Sequence, residues 1–288
     1  MKQEKISIIG VGSVGRALAR IFLESGHEVL SLIDPKIEQI QSDMQFPNSV
    51  ILSTDINGLS PKTTILFVCV SDDQIRSVVN DLADNISLKP GTVAAHTSGL
   101  LSSDVFSDLT SKDFKHCSVH PCYSFTKAFT DNLKGVYFAV EGDREGCEQL
   151  SALVTSIGGI PFPLSKEEKI LYHTGCSLAS NGLVSLMNAV QQVMGYADDP
   201  EKMKRIWLLV RSTLQNMEGS SVGDALTGPI RRGDIYTVES HLKSLQENLP
   251  AMLPMYITLG KNMLKLAEQS GLERTKIDSI KNLFDKYK

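Results

Sequence analysis

A glycine-rich segment near the N-terminus constrains the fold of this 288-residue chain more than any other feature. Three glycines have the spacing G-x-G-x-x-G: Gly10, Gly12 and Gly15. They directly follow a β-branched run at 6–9 and open a helical pattern at 13–25, and a second predicted strand, 28–33, ends at Asp34. This order is the context of a dinucleotide-binding βαβ unit, whereas a glycine turn without a ligand is the alternative.

Each part of this unit has an expected role. Gly10 allows the tight turn, Gly12 lets the backbone approach a pyrophosphate, and Gly15 permits close helix–strand packing. Ser13 and Val14 begin the helix, whose amides and dipole favour an anion.

The cofactor preference depends on the residues after the second strand. Asp34 can accept hydrogen bonds from a ribose hydroxyl and repels a 2′-phosphate, which favours NAD. Lys36 lies two residues later and is able to receive such a phosphate. We therefore expect NAD or NADP, with a slight preference for NAD.

Secondary-structure patterns change along the chain at residue 164. Further strands are predicted at 64–70, 91–95, 116–119, 136–141 and 160–164. Helices alone are predicted afterwards, at 165–195, from Asp199, and at 234–247, 250–270 and 273–287. Alternating strands and helices favour a parallel sheet. We predict a doubly wound Rossmann α/β domain over 1–164 and an all-α domain over 165–288.

Composition excludes several classes of protein. Hydrophobic residues make up 42% and charged residues 22%, as in ordinary globular proteins rather than disordered ones. The net charge of -4 gives no basic excess for nucleic acid, and the apolar runs are too short for a membrane span. Five cysteines without a CxxC pair are typical of reduced thiols, so we expect a cytoplasmic protein with a small-molecule partner.

Two histidines follow predicted strands. His96 begins the sequence His-Thr-Ser-Gly, which includes Ser98, and His120 precedes a proline. Ligands of open α/β sheets bind beyond the carboxyl ends of strands, so both are candidate catalytic residues near a nicotinamide. The alternative is that backbone groups hold them in loops.

Zinc-ligand residue types also occur close together, at His116, Cys117, His120 and Cys122. However, His116 and His120 would lie ~13 Å apart on an extended strand and could not share one ion. We therefore predict no metal and keep a zinc-dependent hydrolase as the weakest alternative.

A row of polar residues recurs every four positions in the predicted helix 165–195: Lys169, His173, Ser177, Asn181 and Ser185. The rest of this helix is largely apolar, so the row lines either a cleft or a hydrogen-bonded seam between helices. Reduction of a carbonyl needs a proton donor and a hydrogen-bond donor to the oxygen. His173 is the candidate acid and Asn181 the positioning residue.

Several specific motifs resemble one family. They are the glycine loop, HTSG at 96–99, HP at 120–121, YH at 172–173, ASN at 179–181 and LTGPIxRGD at 226–234. In this order they resemble the bacterial Rossmann-like and DUF2520 proteins, a branch of the 6-phosphogluconate dehydrogenase-like superfamily. That superfamily includes β-hydroxyacid dehydrogenases, ketopantoate reductase, pyrroline-5-carboxylate reductase and prephenate dehydrogenase. The resemblance implies a helical domain that often forms dimers and a site in the cleft between domains.

The chain departs from the β-hydroxyacid dehydrogenase pattern, in which a lysine precedes the helix asparagine by four residues. Ser177 occupies the position of that lysine. The residues expected to contact substrate are Ser98, Ser177 and Arg232, the last through its guanidinium. Either His173 takes the acid–base role, as a helix histidine does in prephenate dehydrogenases, or catalysis is lost. Lys169 is expected to lie too far away.

These observations predict an NAD(P)-dependent oxidoreductase acting on a small anionic 2-oxo or hydroxy acid, and the family resemblance implies ketopantoate reduction as the most concrete possibility. A non-catalytic dinucleotide sensor is the main alternative. A homodimer through the helical domain is expected, although the apolar run 207–210 is interpreted as buried core rather than interface.

Overall fold

A computed structural model describes residues 3–43, 46–85, 88–126, 132–196 and 199–288 of the chain. The chain forms two compact units, 1–180 and 181–288. The predicted boundary at 164 coincides with the change from strands to helices, whereas the division by packing falls later in the chain.

The first unit alternates strands with helices, as predicted. Its strands are β1 (Lys5–Ile9), β2 (Glu28–Ile33), β3 (Ile51–Ser53), β4 (Ile65–Val68), β5 (Val93–His96), β6 (Lys115–Pro121), β7 (Tyr137–Gly142) and β8 (Ile160–Pro163). Its helices are α1 (Ser13–Glu24), α2 (Ile37–Asp43), α3 (Asp72–Asn85), α4 (Arg144–Ser156) and α5 (Lys169–Ser177), with 3-10 turns at 56–58 and 103–112.

The strands form one sheet in the order β3-β2-β1-β4-β5-β6-β7-β8. Neighbouring strands are parallel except β6 and β7, so β7 and β8 run opposite to the rest. The doubly wound Rossmann prediction is confirmed, but an antiparallel pair was not predicted. The sequence also gave no signal for β3, a three-residue strand that pairs only with β2 in the described sheet.

Helices cover both faces of the sheet, which explains the continuous apolar sequence of its central strands. Along β4, Ile65 and Phe67 pack on one face with α1 and α4, whereas Leu66 and Val68 pack on the other with α3 and the turn 103–112. This two-residue alternation is the strand periodicity applied to a sheet that is buried on both sides.

Helices make up the second unit: α6 (Leu183–Met194), α7 (Pro200–Glu218), α8 (Pro229–Arg232), α9 (Ile235–Asn248), α10 (Leu253–Gln269) and α11 (Arg274–Lys286). Asp199 and Asp234 cap α7 and α9 by accepting from the Lys202 and Thr237 amides. The core joins α9, α10 and α11 around Phe284. The predicted helices here are confirmed.

The predicted helix 165–195 is confirmed over residues 169–194, where α5, a π-helical turn at 178–182 and α6 follow one another in sequence. One expectation for the helical region was wrong. The apolar run 207–210 does not form core, because Trp207, Leu208 and Leu209 are 43%, 70% and 63% exposed and Met203 alone is buried on α7. In the described part of the chain no helix is long and apolar enough to cross a membrane.

Candidate active site

The glycine loop has the geometry that its sequence predicted. Gly10 adopts a φ of +87°, and a Cβ there would lie 2.7 Å from a Val70 methyl group. A Cβ on Gly15 would lie 2.0 Å from the Gly10 carbonyl oxygen, so helix α1 approaches the loop as only glycine allows. Nothing lies within 4 Å of the corresponding position at Gly12. The loop is therefore tightly packed at Gly10 and Gly15, whereas it is open at Gly12, the glycine expected to face a pyrophosphate.

Asp34 is held in place at the end of β2. Its carboxylate accepts hydrogen bonds from the Val11 and Lys36 amides, each at 2.8 Å. It lines a cavity of about 720 Å³ together with Gly10, Lys36, Asp55 and others. This volume lies within the range of small-molecule and cofactor pockets. The cavity is thus lined by the first glycine of the loop, Gly10, and by the acidic residue predicted to bind a dinucleotide.

His96 is fully buried at the end of β5. The Ser98 amide donates to its Nδ1, and its Nε2 donates to the Ser102 carbonyl. Burial lowers the pKa of His96 to about 4, so the ring is neutral. Both nitrogens are therefore used within the loop, and His96 is suited to shaping the HTSG turn rather than to contacting a ligand.

His120 and His173 come together over Gly99. Their ring centroids are 5.7 Å apart at an interplanar angle of 84°. A Cβ on Gly99 would lie 2.5 Å from Nδ1 of His173 and 2.9 Å from Nε2 of His120. Only a residue without a side chain lets both imidazoles approach the backbone here. His120 on β6 and His173 on α5 thus lie side by side at the carboxyl edge of the parallel strands.

The two histidines differ in their partners. Nδ1 of His120 is hydrogen-bonded to the Tyr172 hydroxyl at 3.0 Å. Nδ1 of His173 is buried and has no hydrogen-bond partner among the described residues. Burial, followed by the charges of His173 and Lys169, lowers the pKa of His120 to about 4. His120 is therefore held neutral by its surroundings, while His173 keeps an unused ring nitrogen.

Lys169, at the start of α5, is buried, with only 1% of its surface exposed. Its ammonium group donates to the Ser118 hydroxyl at 2.7 Å and to the Ser98 carbonyl at 3.3 Å. Burial lowers the pKa of Lys169, and the negative charges of Glu141 and Asp72 oppose that shift. This lysine ties the HTSG loop to β6 and places a positive charge near His120.

The remaining predicted residues make none of the contacts described above for this cluster. Ser177 is half-buried at the end of α5, and Asn181 is exposed at the start of the second unit. Arg232 is exposed on α8, where it lines a cavity of the second unit with Arg231 and Lys276. The roles predicted for Ser177, Asn181 and Arg232 stay predictions.

The described residues contain no group of three or more histidine, cysteine or acidic side chains that could hold a metal ion. His116 packs against Phe106, with ring centroids 6.1 Å apart, whereas His120 contacts Tyr172 and His173. The two histidines of the zinc alternative therefore have different surroundings.

Sequence reasoning missed several contributors to the cluster. Gly99 and Tyr172 belong to motifs that were identified, but nothing in the sequence assigned them contacts. Ser118 lies within a strand and carried no signal. Lys169 was judged too distant, although its place one turn before His173 was a usable signal, because residues four apart share one helix face.

The fold and the glycine loop define the first unit as a Rossmann-type domain. A Rossmann-like domain model matches residues 1–121, and the model of a domain of unknown function, DUF2520, matches residues 136–263. The chain thus matches both domain models in the order that its motifs predicted, and the pairing is consistent with the 6-phosphogluconate dehydrogenase-like superfamily.

Individual proteins are similar to this chain, one over part of the sequence and two in fold. A glycerol-3-phosphate dehydrogenase [NAD(P)+] of Enterococcus faecalis is 35% identical over 103 residues, which cover 31% of this chain and 29% of that enzyme. Protein TM1727 of Thermotoga maritima is 25% identical with a TM-score of 0.70, covering 92% of this chain and 99% of its own. A Bacteroides fragilis protein provisionally described as an NADP oxidoreductase is 17% identical with a TM-score of 0.77, covering 91% and 98%.

Proposed function

We propose that this protein is an NAD(P)-dependent oxidoreductase that acts on a small, anionic 2-oxo or hydroxy acid, with ketopantoate reduction as the first reaction to test. The observation that carries the proposal is the pairing of His120 and His173 over Gly99. This pair lies on the same edge of the sheet as the dinucleotide loop, because parallel strands end together. The names of the Enterococcus and Bacteroides relatives support the cofactor class.

In reduction of a carbonyl, His173 and His120 have different roles in this proposal. A bound nicotinamide supplies or accepts the hydride. His173 is the proton donor for the carbonyl oxygen, because its Nδ1 has no hydrogen-bond partner among the described residues and is therefore available to a ligand. His120, which is neutral near pH 7, orients the substrate oxygen through Nε2 while Tyr172 fixes its ring.

The cavity beside β2 favours NAD over NADP. Three carboxylates line it, at Asp34, Asp55 and Asp81, against the single ammonium of Lys36. A 2′-phosphate carries up to two negative charges and would meet a net negative surface, whereas ribose hydroxyls can donate to the carboxylates.

A panel of 2-oxo acids, ketopantoate among them, tests the proposal with NADH and NADPH at the nicotinamide absorbance. We expect turnover with at least one acid and a lower KM for NADH. The His173→Ala variant should lower kcat by at least about a hundredfold with little change in dinucleotide affinity. His27→Ala is the matched control, because His27 directly precedes β2, at the amino edge of the sheet, and is hydrogen-bonded to Ser156.

Dinucleotide binding without turnover of any acid would contradict the proposal and identify a sensor. An unchanged kcat in His173→Ala would remove His173 from the acid role while leaving the enzyme class intact.

We also propose that the second unit forms a homodimer. Helix α7 exposes Trp207, Leu208 and Leu209, and the same unit has an apolar cavity of about 430 Å³ between α6, α9 and α10. A two-fold dimer needs self-complementary surfaces, and one chain supplies both an apolar ridge and an apolar cavity. Light scattering should give twice the 31.5 kDa chain mass, and Leu208→Glu should give monomers. A monomeric native protein would refute this proposal.

A further inference from the structure

Two cysteines that play no part in the proposed chemistry lie side by side in the first unit. Sγ of Cys122 and Sγ of Cys176 are 3.8 Å apart, although the residues are 54 positions apart in sequence. Cys122 is exposed on the loop after β6, whereas Cys176 is half-buried on α5. Both thiols also interact with the Tyr172 hydroxyl. The fold thus brings one accessible thiol and one sheltered thiol into contact.

From this geometry we infer that Cys122 and Cys176 form a reactive dithiol site, which accepts a low-molecular-weight disulfide and closes into an intramolecular disulfide. The Cys122 thiolate attacks one sulfur of the oxidant and releases the first low-molecular-weight thiol. The Cys176 sulfur then attacks Sγ of Cys122 and releases the second. The two cysteines lose two electrons and two protons in total, and the oxidant is reduced to two thiols, so atoms and electrons balance.

The order of these steps follows from exposure. Cys122 can be reached from solvent, so the mixed disulfide forms there. Cys176 is less accessible, and burial raises the pKa of its thiol, so it reacts poorly with an external oxidant. It is nevertheless already in contact with Cys122. Bond formation requires the sulfurs to approach by less than about 2 Å, which side-chain rotation on an exposed loop can provide.

The bond would connect two elements that carry the candidate site. Cys122 lies two residues after His120, and Cys176 lies three residues after His173. A disulfide would therefore fix the end of β6 to α5 and remove both thiol partners of Tyr172, the residue that holds His120. The oxidised form should differ from the reduced form at this histidine pair.

The test treats the full-length protein with oxidised glutathione and measures free thiols and intact mass. The native protein should lose two of its five thiols, its mass should fall by two hydrogen atoms, and dithiothreitol should reverse both changes. Peptide mapping should place the link between Cys122 and Cys176. Cys122→Ser should close no link and lose thiols at least about tenfold more slowly, whereas Cys176→Ser should stop at a mixed disulfide on Cys122.

A second thiol pair supplies the matched control. Cys117 on β6 and Cys147 on α4 also interact, but Cys117 is fully buried. Cys147→Ser should therefore close the Cys122–Cys176 link at the native rate. Retention of all five thiols, a persistent mixed disulfide in the native protein, or a link mapped to Cys117 and Cys147 would each overturn the inference.

Discussion

Replacement of Gly99 by alanine tests the histidine pair most directly. The new Cβ would lie 2.5 Å from Nδ1 of His173 and 2.9 Å from Nε2 of His120, whereas about 3.4 Å is an ordinary contact. The His173 ring would have to retreat by about 0.9 Å, and the His120 ring by about half that distance. Gly99 does not adopt a positive φ, so the perturbation is one of packing rather than backbone conformation.

The size of the effect follows from this displacement. A shift of about 1 Å in a catalytic group costs on the order of 10²-fold in rate, which corresponds to about 2.7 kcal/mol of transition-state stabilisation. Overpacking of this kind also lowers the free energy of unfolding by about 1–3 kcal/mol. We therefore expect Gly99→Ala to remain folded, to bind dinucleotide normally and to lose about a hundredfold in kcat/KM.

The assay combines kcat/KM on the best acid of the panel with histidine side-chain NMR signals, which do not depend on a substrate. Gly175→Ala is the matched control, because Gly175 lies on the same helix as His173 and nothing occurs within 4 Å of its Cβ position. It should keep full activity and gain about 0.5–1 kcal/mol in stability from helix propensity. Native kcat/KM with unshifted His120 and His173 signals in Gly99→Ala would refute the proposed geometry.

Three further predictions concern charge. Lys169→Met should raise the pKa of His120 in an NMR titration, because a nearby positive charge is removed, whereas the exposed control Lys166→Met should not; an unchanged value would contradict the assigned electrostatics. The pKa of His96 and of His120 is lowered to about 4 in the folded protein, so the unfolded state binds more protons between pH 4 and pH ~6.5. The free energy of unfolding should therefore have its full value above pH ~6.5 and decrease as the pH falls towards 4. Urea unfolding at these pH values checks this loss, and a flat profile would oppose it. Asp34→Asn should shift relative affinity towards NADPH by about tenfold or more, measured by fluorescence titration.

Local sequence signals predicted most of the fold. The strands with continuous apolar sequence, the glycine loop and the capped helices α7 and α9 were all recognised, because their determinants lie within a few neighbouring residues. Strand β3, the antiparallel β6–β7 pair and the π turn at 178–182 were not. Pairing direction and register depend on contacts between distant segments, and three residues are too few to give a periodic pattern.

The candidate site shows the same division between local and long-range information. Local motifs were sufficient to predict the glycine loop and to name His96, His120 and His173 as candidates for chemistry. Only the tertiary structure separated them: His96 uses both nitrogens within its own loop, while His120 and His173 meet over Gly99. The tertiary structure likewise provides the partners of the Lys169 ammonium, the Ser118 hydroxyl and the Ser98 carbonyl, because a charge removed from water must find polar groups and these lie more than 50 residues away in sequence.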